Sequence, residues 1–218
     1  MSTRDRILQI SREVFNEAGF GTPTLYTLAQ RIGISRGNLT YYFTQKEDLL
    51  IALVEEMDKE NKSLYQDALK IPSWKSLNEA TEGLHRLQRR YAFIFFDGHL
   101  LMHPQVKNHI VKFREDNIRN QMNMIQLSIQ IGNMKSEAVP GTYYNISQTY
   151  WMVSFYWQIT NDVSDLQDEP GWDKIIWSLL LPHFTPKGVD SFKSYFGDAY
   201  YESLGLPFNE YVVPNVVF

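Results

Sequence analysis

The sequence predicts an all-α fold, with a small three-helix unit at the N-terminus joined by one long helix to a larger helical body. Three observations carry that prediction. Apolar residues recur at steps of three and four along most of the chain. No run alternates apolar and polar residues as a half-buried strand would. Glycine and proline punctuate the chain at helix-sized intervals. The 218 residues are 44% hydrophobic, enough to build a real core.

Each element follows from its own residues. Residues 3–18 place Ile7, Leu8, Ser11, Val14, Phe15 and Ala18 on one face, with Ser2 or Thr3 as cap and Gly19 as stop. After a turn, Thr24 caps a second helix whose inner face is Leu25, Leu28, Ala29 and Ile32. Gly33 ends it as a left-handed residue. Ser35 caps a third, short helix over 36–42. A long helix over about 46–69 carries Leu49, Leu50, Leu53 and Met57 inside and many charges outside. Ile71 to Ser73 breaks the chain. Further helices are expected over 74–97, 105–131, 142–163, 172–183 and 187–204, with loops at 97–104 and 132–141. The segment 142–163 is apolar nearly all round, so it should be buried on more than one side. The proline-broken apolar tail from Gly205 is expected to pack back on the body. The domain boundary is expected near residue 46, dividing the chain into 1–46 and 47–218.

Composition excludes some chemistry. There is no cysteine, so disulfides, thiolate metal sites and cysteine nucleophiles are out. The first residues alternate charge with apolar positions, unlike a secretion signal, and no uncharged apolar run approaches a membrane span. A cytoplasmic protein with no membrane partner is the expectation. Net charge is −4, unevenly spread. Residues 1–46 hold six Lys or Arg against three Asp or Glu, a net of +3, which leaves −7 for the remainder. A basic head on an acidic body can orient a protein toward a polyanion.

Residues 24–46 carry the decisive pattern. A helix-turn-helix needs a small residue where its helices meet, a residue free to take positive φ in the turn, and apolar clamps on both helices. Ala29, Gly33, and the set Leu28, Ile32, Ile34 and Leu39 supply these in the right order. The outward residues of the short third helix suit DNA. Ser35, Thr40 and Tyr42 offer hydroxyls to phosphates, and Arg36 and Lys46 offer charge. Asn38 can pair with adenine, Arg36 can read guanine, and Tyr41 can lie on a thymine methyl or sugar. Gly37 costs about 1 kcal/mol in a helix relative to alanine, and its missing side chain lets a bulky partner approach. The helix starts at Thr24 and Ser35 add backbone donors. Any one feature fits an ordinary polar helix surface; their ordered combination points to DNA.

Residues 4–50 resemble the DNA-binding domain of the TetR family of bacterial transcriptional regulators. The matching positions are Thr24, Leu25, Leu28-Ala29, Gly33-Ile34-Ser35, Gly37, Leu39, Tyr42-Phe43, and Lys46 with Leu49. Thr40 stands where the family usually has tyrosine, and Pro23 where threonine or serine is common. The resemblance implies a homodimeric repressor of a pseudo-palindromic double-stranded DNA operator, with a body that dimerises and binds a small effector. The dimerising helices would be 142–165 and 172–204. Effector binding would move the long helix over 46–69, reset the spacing of the two recognition helices and so release the operator. Rings and amides on adjacent helices nominate Tyr91, Phe95, Phe96, Met122, Asn123, Gln126, Trp151, Phe155 and Gln158 for a largely apolar or aromatic effector, although each alone is ordinary core packing. No cofactor is implied. One rival is a ligand-independent repressor. Another is an all-α metal enzyme, because His99 and His103 lie four apart near Asp97, His85 and His109, but no HExxH accompanies them.

Overall fold

The computed structural model describes residues 2–66, 73–163 and 172–204, leaving aside the side chains of 157–163 and 172. The expected tail from Gly205 and the candidate Gln158 therefore lie outside the described residues. The described chain is helical: α1 (Thr3–Ala18), α2 (Leu25–Ile32), α3 (Arg36–Tyr42), α4 (Lys46–Leu64), α5 (Trp74–Arg90), α6 (Ala92–Phe96), α7 (Gly98–Met102), α8 (Pro104–Gln130), α9 (Thr142–Val163), α10 (Trp172–Leu180), α11 (Pro186–Phe196) and α12 (Asp198–Ser203). A 3₁₀ turn, Leu181–His183, precedes α11. None of the described helices is long and apolar enough to cross a membrane.

The chain divides into two compact units. The first comprises Met1–Leu64 and Gly83–Glu115; the second, Tyr65–Glu82 and Asp116–Phe218. This division differs from the expected one at residue 46, because α4 and the 83–115 stretch pack with the N-terminal helices. Asn16 of α1 accepts from Phe93 N–H at 3.0 Å and donates to Arg90 C=O at 2.9 Å. It thus holds the break between α5 and α6, where a single helix over 74–97 was expected. Gly83 lies so close to Leu64 that a Cβ would meet its Cδ2 at 2.6 Å.

Helix ends follow local capping chemistry. Ser2 and Asp5 form a reciprocal capping box at α1, and Thr24 and Thr27 form one at α2. Gly33 has φ 77° and ψ 35°. Its N–H reaches Gln30 C=O at 3.2 Å while Ile34 N–H reaches Ala29 C=O at 3.0 Å, a Schellman closure. Arg6 reaches across from α1 to cap Ile32 C=O at 2.9 Å. The expected loop at 97–104 is instead largely the short helix α7. Asp97 nucleates it by accepting from His99 and Leu100 N–H groups.

The second unit is built around an aromatic core. Trp177, Tyr143, Phe184 and Phe192 are buried there, with Trp74, Phe196 and Tyr200 packed against them. Phe192 and Phe196 stand 4.5 Å apart, and Trp74 donates from Nε1 to Ser191 Oγ at 2.7 Å. Thr185 ties the loop after α8 to the start of α11: its N–H reaches Asn133 C=O and its Oγ1 reaches Gly132 C=O.

Candidate nucleic-acid interface and ligand cavity

Helix α3 is held from beneath by fully buried Leu39, by buried Phe43 just beyond its end, and by half-buried Ile34 just before its start. Ser35 Oγ accepts from Asn38 N–H at 3.0 Å and so fixes its first turn. Arg36, Gly37, Asn38, Tyr41 and Tyr42 are exposed, Tyr41 at 82%. The Tyr41 and Tyr42 rings meet edge to face at 5.2 Å. One short helix therefore presents a cation, an amide and two phenols together. Thr24 is exposed at the start of α2, its hydroxyl shared with the cap. Thr40 is half-buried, and its hydroxyl donates back to Arg36 and Gly37 carbonyls. A Cβ added to Gly37 would meet only Ser35 Oγ, at 3.9 Å, so nothing within the chain demands glycine there. Tyr26, 56% exposed on α2, was not singled out from the sequence because it falls between the inner residues Leu25 and Leu28.

Lys46 departs from its expected role at a phosphate. Its ammonium donates to the carbonyls of Phe20, Gly21 and Pro23 at 2.7, 3.2 and 3.0 Å, 4.5 Å from the Phe20 ring centroid. Burial lowers its pKa from the ordinary value, with Glu47 opposing. All three donors are spent on closing the turn between α1 and α2.

Tyr91 departs further. It was expected in an effector pocket, but it is fully buried in the first unit. Its hydroxyl donates toward Glu60 at 2.9 Å and Glu56 at 3.1 Å, and Arg12 lies 5.1 Å over its ring. Burial first, then the two carboxylates, push its pKa far up. The chain turns sharply between α5 and α6, which directs this side chain into the α1–α4 packing. Phe95 is buried against Phe113, 5.5 Å away in the same unit, and Phe96 is partly exposed.

A cavity of about 60 Å³ opens within the second unit. Its walls come from four helices and the turn after α10. Trp74, Leu77 and Thr81 stand on α5, and Gln121, Met124, Ile125 and Ser128 on α8. Ile146, Ser147 and Tyr150 stand on α9, and Ile176, Trp177, Leu179 and Leu180 on α10; Tyr65, Met134 and Phe184 complete the lining. None of the described residues nominated from the sequence lines it. The cavity-lining faces of α8 and α9 are offset by about one residue from the candidate positions on those helices. Asn123 and Gln126 are exposed, while Gln121 reaches the cavity. Met122 packs at the edge of the aromatic core. Trp151 is buried with Phe155 beside it, centroids 6.0 Å apart, and neither lines the cavity. The missed signal was the spacing 121, 124, 125, 128, one helical face with a lone amide.

The histidines near Asp97 do not assemble a metal site. Among the described residues, no three of His, Asp or Glu come together as a ligand set. His103 ends α7 and accepts from Gln105 N–H at 3.4 Å through Nδ1, and His109 pairs with Asp58 at 2.6 Å.

Comparison with known proteins agrees with this architecture. A model described as bacterial regulatory proteins of the tetR family matches residues 7–53. A second, described as a bacterial transcriptional repressor, matches residues 55–192, well over half the chain. The HTH-type transcriptional regulator UidR of Escherichia coli K12 is 38% identical over 52 residues, which is 24% of this chain and 26% of UidR. The chain thus matches only about a quarter of that relative's length. A TetR-family regulator from Marinobacter aquaeolei VT8 superposes with TM-score 0.79 at 22% identity, over 94% of this chain and 99% of that one. A structure described as the SmeT–triclosan complex superposes with TM-score 0.61 at 17% identity, over 87% and 94%. A helix-turn-helix closed at Gly33, an all-helical body and a matching family model through both together lead to one conclusion: the chain belongs to the TetR family of bacterial transcriptional regulators, which bind DNA and are not enzymes.

Proposed function

We propose that this protein is a dimeric repressor, released from its operator by a small, largely apolar or aromatic effector held in the second unit. The observation that carries the reading is the exposed row on α3: Arg36, Asn38, Tyr41 and Tyr42 on a helix fixed by a serine cap and a left-handed glycine. Arg36 and Asn38 would read base edges in the major groove, and Ser35, Thr40 and the tyrosines would meet sugar and phosphate. The start of α2 at Thr24 would meet a phosphate. One seven-residue helix reads few bases, so two copies on a two-fold operator fit the task.

The dimer would form through α9 and the helices after it. Tyr144, Met152 and Tyr156 are exposed on one side of α9, an apolar row that a second copy would cover. The cavity supports the effector, and the neighbour described in complex with triclosan lends the same expectation by likeness of fold. The cavity's small size favours a second reading, a repressor that needs no ligand. Light scattering tests the dimer. At micromolar concentration the mass should be twice the 25.6 kDa of one chain when free, and that same protein mass plus the DNA on a fragment that it selects. A single chain on that fragment would sink the reading.

A further inference from the structure

The cavity in the second unit has one property that an ordinary packing defect lacks. Gln121 Nε2 and Ser147 Oγ are both buried at its wall, and neither has a hydrogen-bond partner among the described residues. Leaving a buried polar atom unpaired is costly, and native proteins do so rarely outside functional sites. Ser147 is 1% exposed and sits on α9, where a serine hydroxyl can usually bond back to its own helix. Here it does not. Among the described residues, the rest of the wall is apolar or aromatic apart from Thr81, Ser128, two tyrosine hydroxyls and the indole N–H groups of Trp74 and Trp177.

The wall also lacks charge. Among the described residues, no Asp, Glu, Lys, Arg or His lines it. Burial raises the pKa of both Tyr65 and Tyr150, so neither phenol supplies an anion near neutral pH. An ion entering this space would lose its hydration and gain no counter-charge. We infer that the site takes an uncharged, ring-bearing molecule with a hydrogen-bond acceptor, such as a ketone or ester carbonyl, which meets Gln121 Nε2 and Ser147 Oγ. This inference rests on the reading of the second unit as the effector-binding part.

Size adds a second consequence. A cavity of about 150 Å³ is needed to hold benzene in an engineered protein. At about 60 Å³ this one is less than half as large. A ring can enter only by displacing wall side chains. Met124 and Met134 are the flexible members of the wall that can give way. Occupancy therefore repacks Met124 on α8 and Met134 in the loop that follows it.

The test uses three matched probes on the full chain: acetophenone, ethylbenzene and benzoate. Saturation-transfer NMR and tryptophan fluorescence read binding, since Trp74 and Trp177 line the site. Acetophenone should bind about fivefold to tenfold more tightly than ethylbenzene, and benzoate should not compete at pH 7, whereas methyl benzoate should. The preference for the ketone should shrink in Gln121→Leu and vanish when Ser147→Ala is added. Gln121→Leu alone should melt a few degrees higher without ligand, because it removes an unpaired polar atom. A merely structural Gln121 would instead lower the melting temperature. Benzoate binding as well as its ester, a preserved ketone preference in Gln121→Leu, or no binding of any neutral probe would each overturn the inference. A neutral ketone that binds but leaves a selected DNA complex intact would uphold the ligand class and count against release as its consequence.

Discussion

Gly37 separates what the chain needs from what a partner needs. A methyl group there meets no more than Ser35 Oγ at 3.9 Å, and alanine is the better helix former. Gly37→Ala should therefore stabilise the protein by up to about 1 kcal/mol in urea denaturation. On DNA the sign should reverse, with affinity falling roughly tenfold, because the methyl group stands between α3 and the groove. Tighter DNA binding in this variant would remove the reason given for the glycine. Lys46 teaches the opposite lesson. Its charge reads as a phosphate contact in the sequence, yet three turn carbonyls hold it. The difference was not legible because the carbonyls of residues 20 to 23 converge only once α4 folds against that turn. Thr40 sits between these cases: its hydroxyl donates to its own helix and keeps only acceptor capacity, which a water bridging to a phosphate can use.

Among the elements, the first three helices were read closely because their signals are local. Ser2, Thr24 and Ser35 cap them, Gly33 turns the chain, and every clamp lies within a few residues of its partner. The later helices were placed well along the chain but not around their axes. The rings of 142–163 gave no clear face, since apolar residues occur on every side of α9. The break at Tyr91 and the short helix α7 also escaped, because Asn16 and Asp97 fix them through bonds invisible to periodicity. One element contact makes a sharp prediction. A Cβ at Gly188 would stand 1.9 Å from Asn133 C=O, so α11 can approach the loop after α8 only with glycine there. Gly188→Ala should cost about 3 kcal/mol and lower the thermal midpoint by roughly 6–12 °C. Gly98, which has no neighbour within 4 Å, is the control, and Gly98→Ala should leave the midpoint near its original value. A thermal midpoint left unmoved in Gly188→Ala would show that the approach is relieved elsewhere.

At the scale of the whole molecule, charge and helix order divide the labour. The first 46 residues carry +3 and the remainder −7, so attraction to a polyanion falls on the head and repulsion on the rest. Affinity should then fall as salt rises, as it does for binding carried by phosphate contacts. The cavity of the second unit is walled by α5 and α8, and both helices continue past the division into the first unit. The central claim is that α3 reads DNA sequence. Selection of genomic fragments by the wild-type chain, repeated with Asn38→Ala, tests it most directly. The wild type should enrich a two-fold repeat with half-sites about 10 base pairs apart, centre to centre, or a multiple of that spacing. Asn38→Ala should lose the preference at one base in each half while still binding phosphate. Enrichment of no sequence by the wild type, or the same sequence with equal affinity in the variant, would contradict the account.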